Sequence, residues 1–203
     1  MKNIFTITVG PLAENCYVVY DEEDKRALLF DPGDDADEIV DALAKLSLSP
    51  IGIVLTHAHF DHIGAIPALV MRYGIPVWCP SEDIPLYLSP ENGMPPWYPA
   101  VKDLPVPTEE PWPDFGFRRL ATPGHTPGGS SYYFADEGFV ITGDTLFADS
   151  VGRTDFPGGS ETALMDSIKS VLFALPNKTL VYPGHGPKTT IGIERMNPYF
   201  GEF

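Results

Sequence analysis

Cysteine is nearly missing from this 203-residue chain: only Cys16 and Cys79 are present, far apart and outside any CxxC pair. That argues against a disulfide framework or a cysteine-built metal knuckle and leaves two ordinary reduced thiols. Long apolar runs are missing too; none approaches the ~20 residues that span a bilayer. The amino-terminal MKNIFTITVG alternates apolar and polar residues. It has neither the apolar core nor the small-residue cleavage site of a signal peptide, and it reads as a first β-strand. A cytoplasmic protein without a membrane partner is the expectation. Positive charge is scarce: 13 Lys and Arg stand against 28 Asp and Glu, for a formal charge of −15. Such a field repels a phosphate backbone and argues against a nucleic-acid partner. An anionic substrate then has to be captured by a local basic spot or by a metal.

Apolar residues make up 43% of the chain and aromatics 12%, enough to bury a core and suited to one domain over residues 1–203. Three short stretches, IFTITV (4–9), CYVVY (16–20) and RALLF (26–30), are separated by turns at 10–11 and 21–24 and predict a meander. An acidic helix start follows within 31–48, with Ile39, Val40, Leu43 and Leu46 at helical spacing. IGIVL (51–55) has the continuous apolarity of a buried strand. Residues 64–74 read as a helix with Pro67 in its first turn and a closing glycine, and PVWCP (76–80) as a strand.

Residues 87–113 hold eight of the 22 prolines together with Trp97 and Trp112, and no strand or helix period survives there. A long ordered loop is expected, either a lid or a rigid surface loop packing its own aromatics. Beyond it FGFRRLA (115–121), SSYYF (130–134) and GFVITGD (138–144) read as strands, 161–175 as a helix and TLVYP (179–183) as a strand. Strands followed by helices thus occur twice, as in an α/β sandwich of two similar halves.

The histidines are few and crowded. LTHAHFDHIGA (55–65) carries three of the five, interleaved with an aspartate. In an extended segment leaving a strand, His57 and His59 project to one side, and the next turn brings Asp61 and His62 to an adjacent point. For Asp61 alone, a helix N-cap is the plain alternative. His125 in ATPGHTPGGS and His185 in VYPGHGPKT each follow Pro-Gly just past a strand, and Asp144 ends GFVITGD in the same way. A turn-forming Asp would explain Asp144 by itself, but not the whole company. Imidazole and carboxylate suit zinc, iron or manganese. Five histidines and two aspartates are too many for one tetrahedral ion and match two ions sharing a carboxylate. The expected assignment gives His57, His59 and His125 to one ion, Asp61, His62 and His185 to the other, and Asp144 to both.

The set THAHFDH, PGHT, GDTLF and PGHGPKTT, in that order, resembles the metallo-β-lactamase superfamily. GDTLFADSVGRTDFPGG, GHGPKTTIGIERMNP, ENCYVVYD and LLFDPG are most similar to the glyoxalase II-type, hydroxyacylglutathione hydrolase branch. The resemblance implies an αββα four-layer sandwich, two Zn²⁺ per chain with Fe or Mn as substitutes, and hydrolysis of a small-molecule thioester by a metal-activated water. Asp61 would be a metal ligand first and a proton acceptor second, acting with Asp144. The chain stops soon after His185, without the helical segment that full-length glyoxalase II enzymes use for glutathione, so the short single-domain type is expected.

Asp31, in FDPG, is either the residue that orients a ligand histidine or a turn residue before Pro32. Arg153 and Lys188, in loops beside ligand motifs, are candidates for an anionic substrate, with pairing of Arg153 to Asp155 as the alternative. Two rival functions stand beside the hydrolase. A mononuclear iron persulfide dioxygenase, similar at GRTD, would use His57, His125 and Asp144. A non-catalytic metal-binding relative would be expected to have lost ligands.

Overall fold

A computed structural model describes residues 1–108 and 111–201, and the chain divides into two compact units, Met1–Pro113 and Asp114–Phe203. In the first, β1 (Lys2–Val9), β2 (Glu14–Asp21) and β3 (Arg26–Phe30) form the expected antiparallel meander, and β4 (Ser49–Val54) and β5 (Val77–Trp78) extend it in parallel. The sheet order is β1-β2-β3-β4-β5. β3 is buried from Ala27 to Phe30, as a strand covered on both faces must be, whereas edge strand β1 alternates and stays half exposed.

Helix α1 (Ala36–Lys45) makes the crossover from β3 to β4. Asp37 and Glu38 lie in its first turn and Lys45 in its last, each at the helix end whose partial charge favours it. Ile39 and Leu43 are its buried residues, and truncating either to Ala would cost about 2–5 kcal/mol. Leu46, expected on the apolar stripe, is instead the exposed C-cap. One-turn α2 (Phe60–Ile63) precedes α3 (Ile66–Tyr73), where Pro67 lies in the first turn and Gly74 closes the helix at φ 64.

The proline-rich segment is largely irregular but tied down. α4 (Ile84–Tyr87) enters it and one 3₁₀ turn spans Pro90–Asn92. Buried Asn92 donates to the carbonyls of Tyr87 and Val101 and accepts from the Val101 N–H at 3.0 Å, pinning the loop across its own base. Trp78 donates to the Pro111 carbonyl and Thr108 bridges to Trp78. Residues 109 and 110 of the expected loop lie outside the described residues.

The second unit has sheet order β12-β11-β8-β7-β6. β6 (Arg118–Ala121), β7 (Ser130–Phe134) and β8 (Phe139–Gly143) are antiparallel neighbours. The two-residue strands β9 (Leu146–Phe147) and β10 (Ser150–Val151) pair with each other. α5 (Glu161–Asp166), capped by the Ser160 hydroxyl, leads to β11 (Leu180–Pro183), parallel to β8, then to β12 (Thr189–Thr190) and α6 (Ile191–Arg195). The single helix expected over 161–175 is interrupted: α5 passes into a widened π turn at Ser167–Val171 and a 3₁₀ turn at Leu172–Ala174. Ser167, where the pitch changes, donates to the Pro123 carbonyl at 2.7 Å, tying this segment to the loop that carries His125. Among the described residues no helix is long and apolar enough to cross a membrane.

Candidate metal centre

In the first unit the polar residues gather past the carboxyl ends of β3 and β4, which run parallel and side by side, the place where open α/β sheets bind ligands. Asp31 follows β3 directly with φ 49, a left-handed conformation that Asp tolerates better than most residues. Its Oδ1 accepts the Thr56 N–H at 2.7 Å, and its Oδ2 accepts the Thr56 hydroxyl at 2.5 Å and lies 3.1 Å from His62 Nδ1. The Thr56 hydroxyl also lies 3.0 Å from His57 Nδ1.

These contacts settle the tautomers. Ionised Asp31 only accepts, so His62 donates through Nδ1–H. The single hydroxyl proton of Thr56 goes to Asp31, so Thr56 must accept from His57 Nδ1–H. Nε2 is therefore the acceptor atom of both rings. Asp31, His57 and His62 bring ligand-type atoms within 4.8 Å of one another. Asp31 thus meets His62 directly and His57 through Thr56, the kind of contact that orients a ligand histidine, while its carboxylate also lies among the ligand-type atoms of this group.

The remaining first-unit residues fall in with this pair. The rings of His57 and His59 lie 4.9 Å apart and those of His57 and His62 4.0 Å apart. His57 is 2% and His62 0% exposed. His59 is the N-cap of α2 and Asp61 lies inside the helix, so the N-cap alternative for Asp61 does not hold.

Three further residues went unnoticed in the sequence. Glu14, buried on β2, places Oε1 3.7 Å from His62 Nδ1. Thr56 is the relay just described. Asp83, fully buried, accepts the N–H of Ala58, the residue between His57 and His59, at 3.1 Å. A glutamate just ahead of the CYVVY strand run was the one available sign of the first. Burial, with Glu14 and Asp31 nearby, pushes the Cys16 thiol well up.

In the second unit Asp144 follows β8 and stands between two imidazoles: its Oδ2 is 3.6 Å from His125 Nε2 and 3.7 Å from His185 Nε2. His125 Nδ1 donates to the Arg153 carbonyl at 2.7 Å, which again presents Nε2. A carboxylate flanked by two Nε2 atoms has the chemistry of a shared metal ligand, and the donor types suit zinc, iron or manganese. Gly152 makes this possible sterically, because a Cβ there would meet the Asp144 carbonyl oxygen at 1.8 Å. Gly33 does the same in the first unit, where a Cβ would meet the Asp61 carbonyl oxygen at 1.7 Å.

Arg153 itself turns to Asp155 in a bidentate pair, both bonds 2.7 Å, and lies 4.0 Å from the Phe156 ring. This is the alternative foreseen for it. Asp155 is thereby held down to about 2. Lys188 is exposed, with Nζ 6.0 Å from the Tyr182 ring.

Residues 9–185 match the model of the Metallo-beta-lactamase superfamily. The chain belongs to that superfamily. Among its curated members, the probable metallo-hydrolase YqgX of Bacillus subtilis is 38% identical over 96% of both chains. The hydroxyacylglutathione hydrolase GloC of Haemophilus influenzae is 35% identical over 97% of both.

Among solved structures, TTHA1623 in a di-iron-bound form is 43% identical with a TM-score of 0.86, covering 96% of this chain and 99% of that one. The BLEG-1 B3 metallo-β-lactamase is 37% identical with a TM-score of 0.89, covering 98% and 100%. ETHE1 from Myxococcus xanthus is 31% identical with a TM-score of 0.76, covering 96% and 82%. The fold is thus the metallo-β-lactamase fold, and the class is metal-dependent hydrolase.

Proposed function

We propose that this protein is a thioester hydrolase with a binuclear metal centre, its two units acting as one domain over residues 1–203. In this reading His57, His59 and His125 hold one ion and Asp61, His62 and His185 the other, with Asp144 shared and Asp31 behind them. Two Zn²⁺ per chain are the expected ions; the di-iron form of TTHA1623 makes iron the alternative to test.

Bound ions supply a water acidified enough to attack at neutral pH and positive charge for the carbonyl oxygen. The chain's own contribution is orientation. Asp31 and Thr56 hold His57 and His62 in the Nδ1–H tautomer that presents Nε2, the Arg153 carbonyl does so for His125, and Asp144 keeps His125 and His185 on either side of one carboxylate. Buried Glu14 places a second carboxyl group beside His62.

What supports the thioester reading is that the chain has five histidines and the proposed set takes up all of them. No imidazole elsewhere in the chain can hand a proton to a leaving group. A thiol with a pKa of about 8.5 departs as thiolate without one, whereas an amide nitrogen needs a proton in the transition state. GloC makes hydroxyacylglutathione the first thioester to assay. Buried, non-bridged Cys16 and Cys79 accord with a reducing cytoplasm, and the charge of −15 with a small-molecule substrate in place of nucleic acid.

The iron dioxygenase reading uses His57, His125 and Asp144 but leaves His185 at Asp144 without a role. The test is a side-by-side assay of thioester, oxygen ester and β-lactam, with metal analysis of chelator-free protein. Thioester turnover far above the others, with two ions per chain, is expected. The BLEG-1 similarity makes the β-lactam arm decisive: equal turnover there sinks the proposal, and one iron with oxygen uptake supports the dioxygenase.

A further inference from the structure

Beside Asp61 the first unit contains a cavity of about 190 Å³. Its walls come from the β1–β2 turn (Leu12), the loop after β3 (Gly33), α2 (Phe60 and Asp61) and the proline-rich loop (Tyr98 and Val101). Phe60 and Tyr98 stack nearly parallel, 17° apart with centroids at 4.8 Å, so one wall is a double layer of aromatic rings. Phe60 is fixed there by its place between His59 and Asp61, while Tyr98 is held through its main chain to Met94 and by the Asn92–Val101 clasp. Leu12 is 38% exposed on the β1–β2 turn and adds an apolar side chain to the rim. The acidic groups are Asp61 and, exposed at the rim, Asp34.

We infer that this cavity receives the acyl arm of the substrate and selects uncharged apolar or aryl arms, with Tyr98 and Val101 as its specificity-determining residues. The inference rests on the thioesterase reading above. Asp61 lines the cavity, so an arm lodged there ends next to a residue assigned to the metal centre. The size fits such an arm: an apolar cavity of about 150 Å³ is enough to bind benzene. Charge decides against the alternatives. A carboxylate arm, or an anionic thiol portion, would sit against Asp34 within a chain of net charge −15, while an apolar arm gains from leaving water. The loop at 87–113 thus has a job short of acting as a lid: it supplies one wall of the cavity.

The experiment compares acetyl and phenylacetyl thioesters of one thiol on metal-loaded wild type, Tyr98→Ala and Val101→Phe. The first variant removes half the aromatic wall; the second fills the space from a position whose main-chain clasp is untouched. In both, the ratio of kcat/KM for phenylacetyl to that for acetyl should fall about tenfold. Saturation-transfer NMR with benzyl alcohol, which needs no catalysis, should show binding to wild type that is lost in Val101→Phe. Wild-type ratios retained by both variants, or an undiminished benzyl alcohol signal, overturn the acyl assignment alone. A wild type that cleaves neither thioester overturns the thioesterase reading and the assignment with it.

Discussion

In the amino-terminal unit the candidate ligands are fixed by side chains: Asp31 and Thr56 together engage Nδ1 of His57 and His62, with Glu14 and Asp83 close behind. In the carboxyl-terminal unit His125 is fixed by a main-chain carbonyl, and His185 sits on a Pro-Gly loop with its side chain 26% exposed. The contrast follows from where the residues lie. His57, just past β4, and His62, in α2, are buried, where polar atoms need partners, and here side chains supply them. His125, though also buried, stands on a loop and meets the main-chain carbonyl of another, that of Arg153. One half therefore keeps its geometry through a charged buried network. The other keeps it through chain conformation, with Gly152 permitting the close pass beside Asp144.

Asp144 is where the comparison can be broken most sharply. As the one residue proposed to touch both ions, its loss should be felt beyond its own unit. Asp144→Ala should lower metal content toward zero and cut turnover by more than about a hundredfold, beyond the ~10–100-fold typical of an orienting residue. His185→Ala should remove no more than one ion. Metal analysis with kcat/KM on the two variants checks this, and an Asp144 variant that keeps two ions shows the shared-ligand assignment to be wrong.

Next comes the anchoring itself. Asp31→Ala takes the acceptor from Thr56 N–H, the Thr56 hydroxyl and His62 Nδ1 at once. It should lower metal affinity by about 10–100-fold and stability by roughly 1–3 kcal/mol for each donor left unsatisfied. Arg153→Ala removes a side chain but not the carbonyl that holds His125, so metal affinity should stay within a few-fold of wild type. Competition with a chromophoric chelator measures both. If the two variants lose metal equally, the distinction between side-chain and main-chain anchoring disappears.

The same difference explains what could be read in the sequence. Residue types that ligate metals are rare and chemically loud, so His57, His59, Asp61, His62, His125, Asp144 and His185 stand out by kind and by their strand-end contexts, as does β4 by the continuous apolarity of IGIVL. Glu14, Thr56 and Asp83 are common residues made important by burial and by what folds against them. Asp83 reaches Ala58 across 25 positions, and no local pattern announces that. Main-chain anchors are quieter still, because a carbonyl has no letter: nothing in GRTD says that it is the oxygen of Arg153 that holds His125. The interrupted helix at 161–175 was hidden for a related reason. Its apolar spacing is helical, but the Ser167 bond to the Pro123 carbonyl is tertiary.

The smallest effect concerns the side chain of Arg153, now separated from its carbonyl. Its bidentate hydrogen bonds hold the Asp155 carboxyl at about 2. A depressed carboxyl pKa stabilises the fold above the unfolded value of about 3.9 and loses that contribution only as pH falls toward 2. The pair is therefore constant between pH 5 and 8 and cannot shape a pH–rate profile there. Both side chains are more than half exposed, so Asp155→Asn should move Tm at pH 7 only slightly, and the difference from wild type should shrink below pH 4. The substitution does, however, release a cation in a strongly acidic protein. If Arg153 and Lys188 capture anionic substrate locally, Asp155→Asn should lower KM for an acidic thioester by about two- to threefold relative to a neutral one, and Lys188→Ala should raise it selectively. Equal changes for acidic and neutral thioesters would remove both cations from the substrate site and leave Arg153 as a residue whose carbonyl, alone, serves the metal centre.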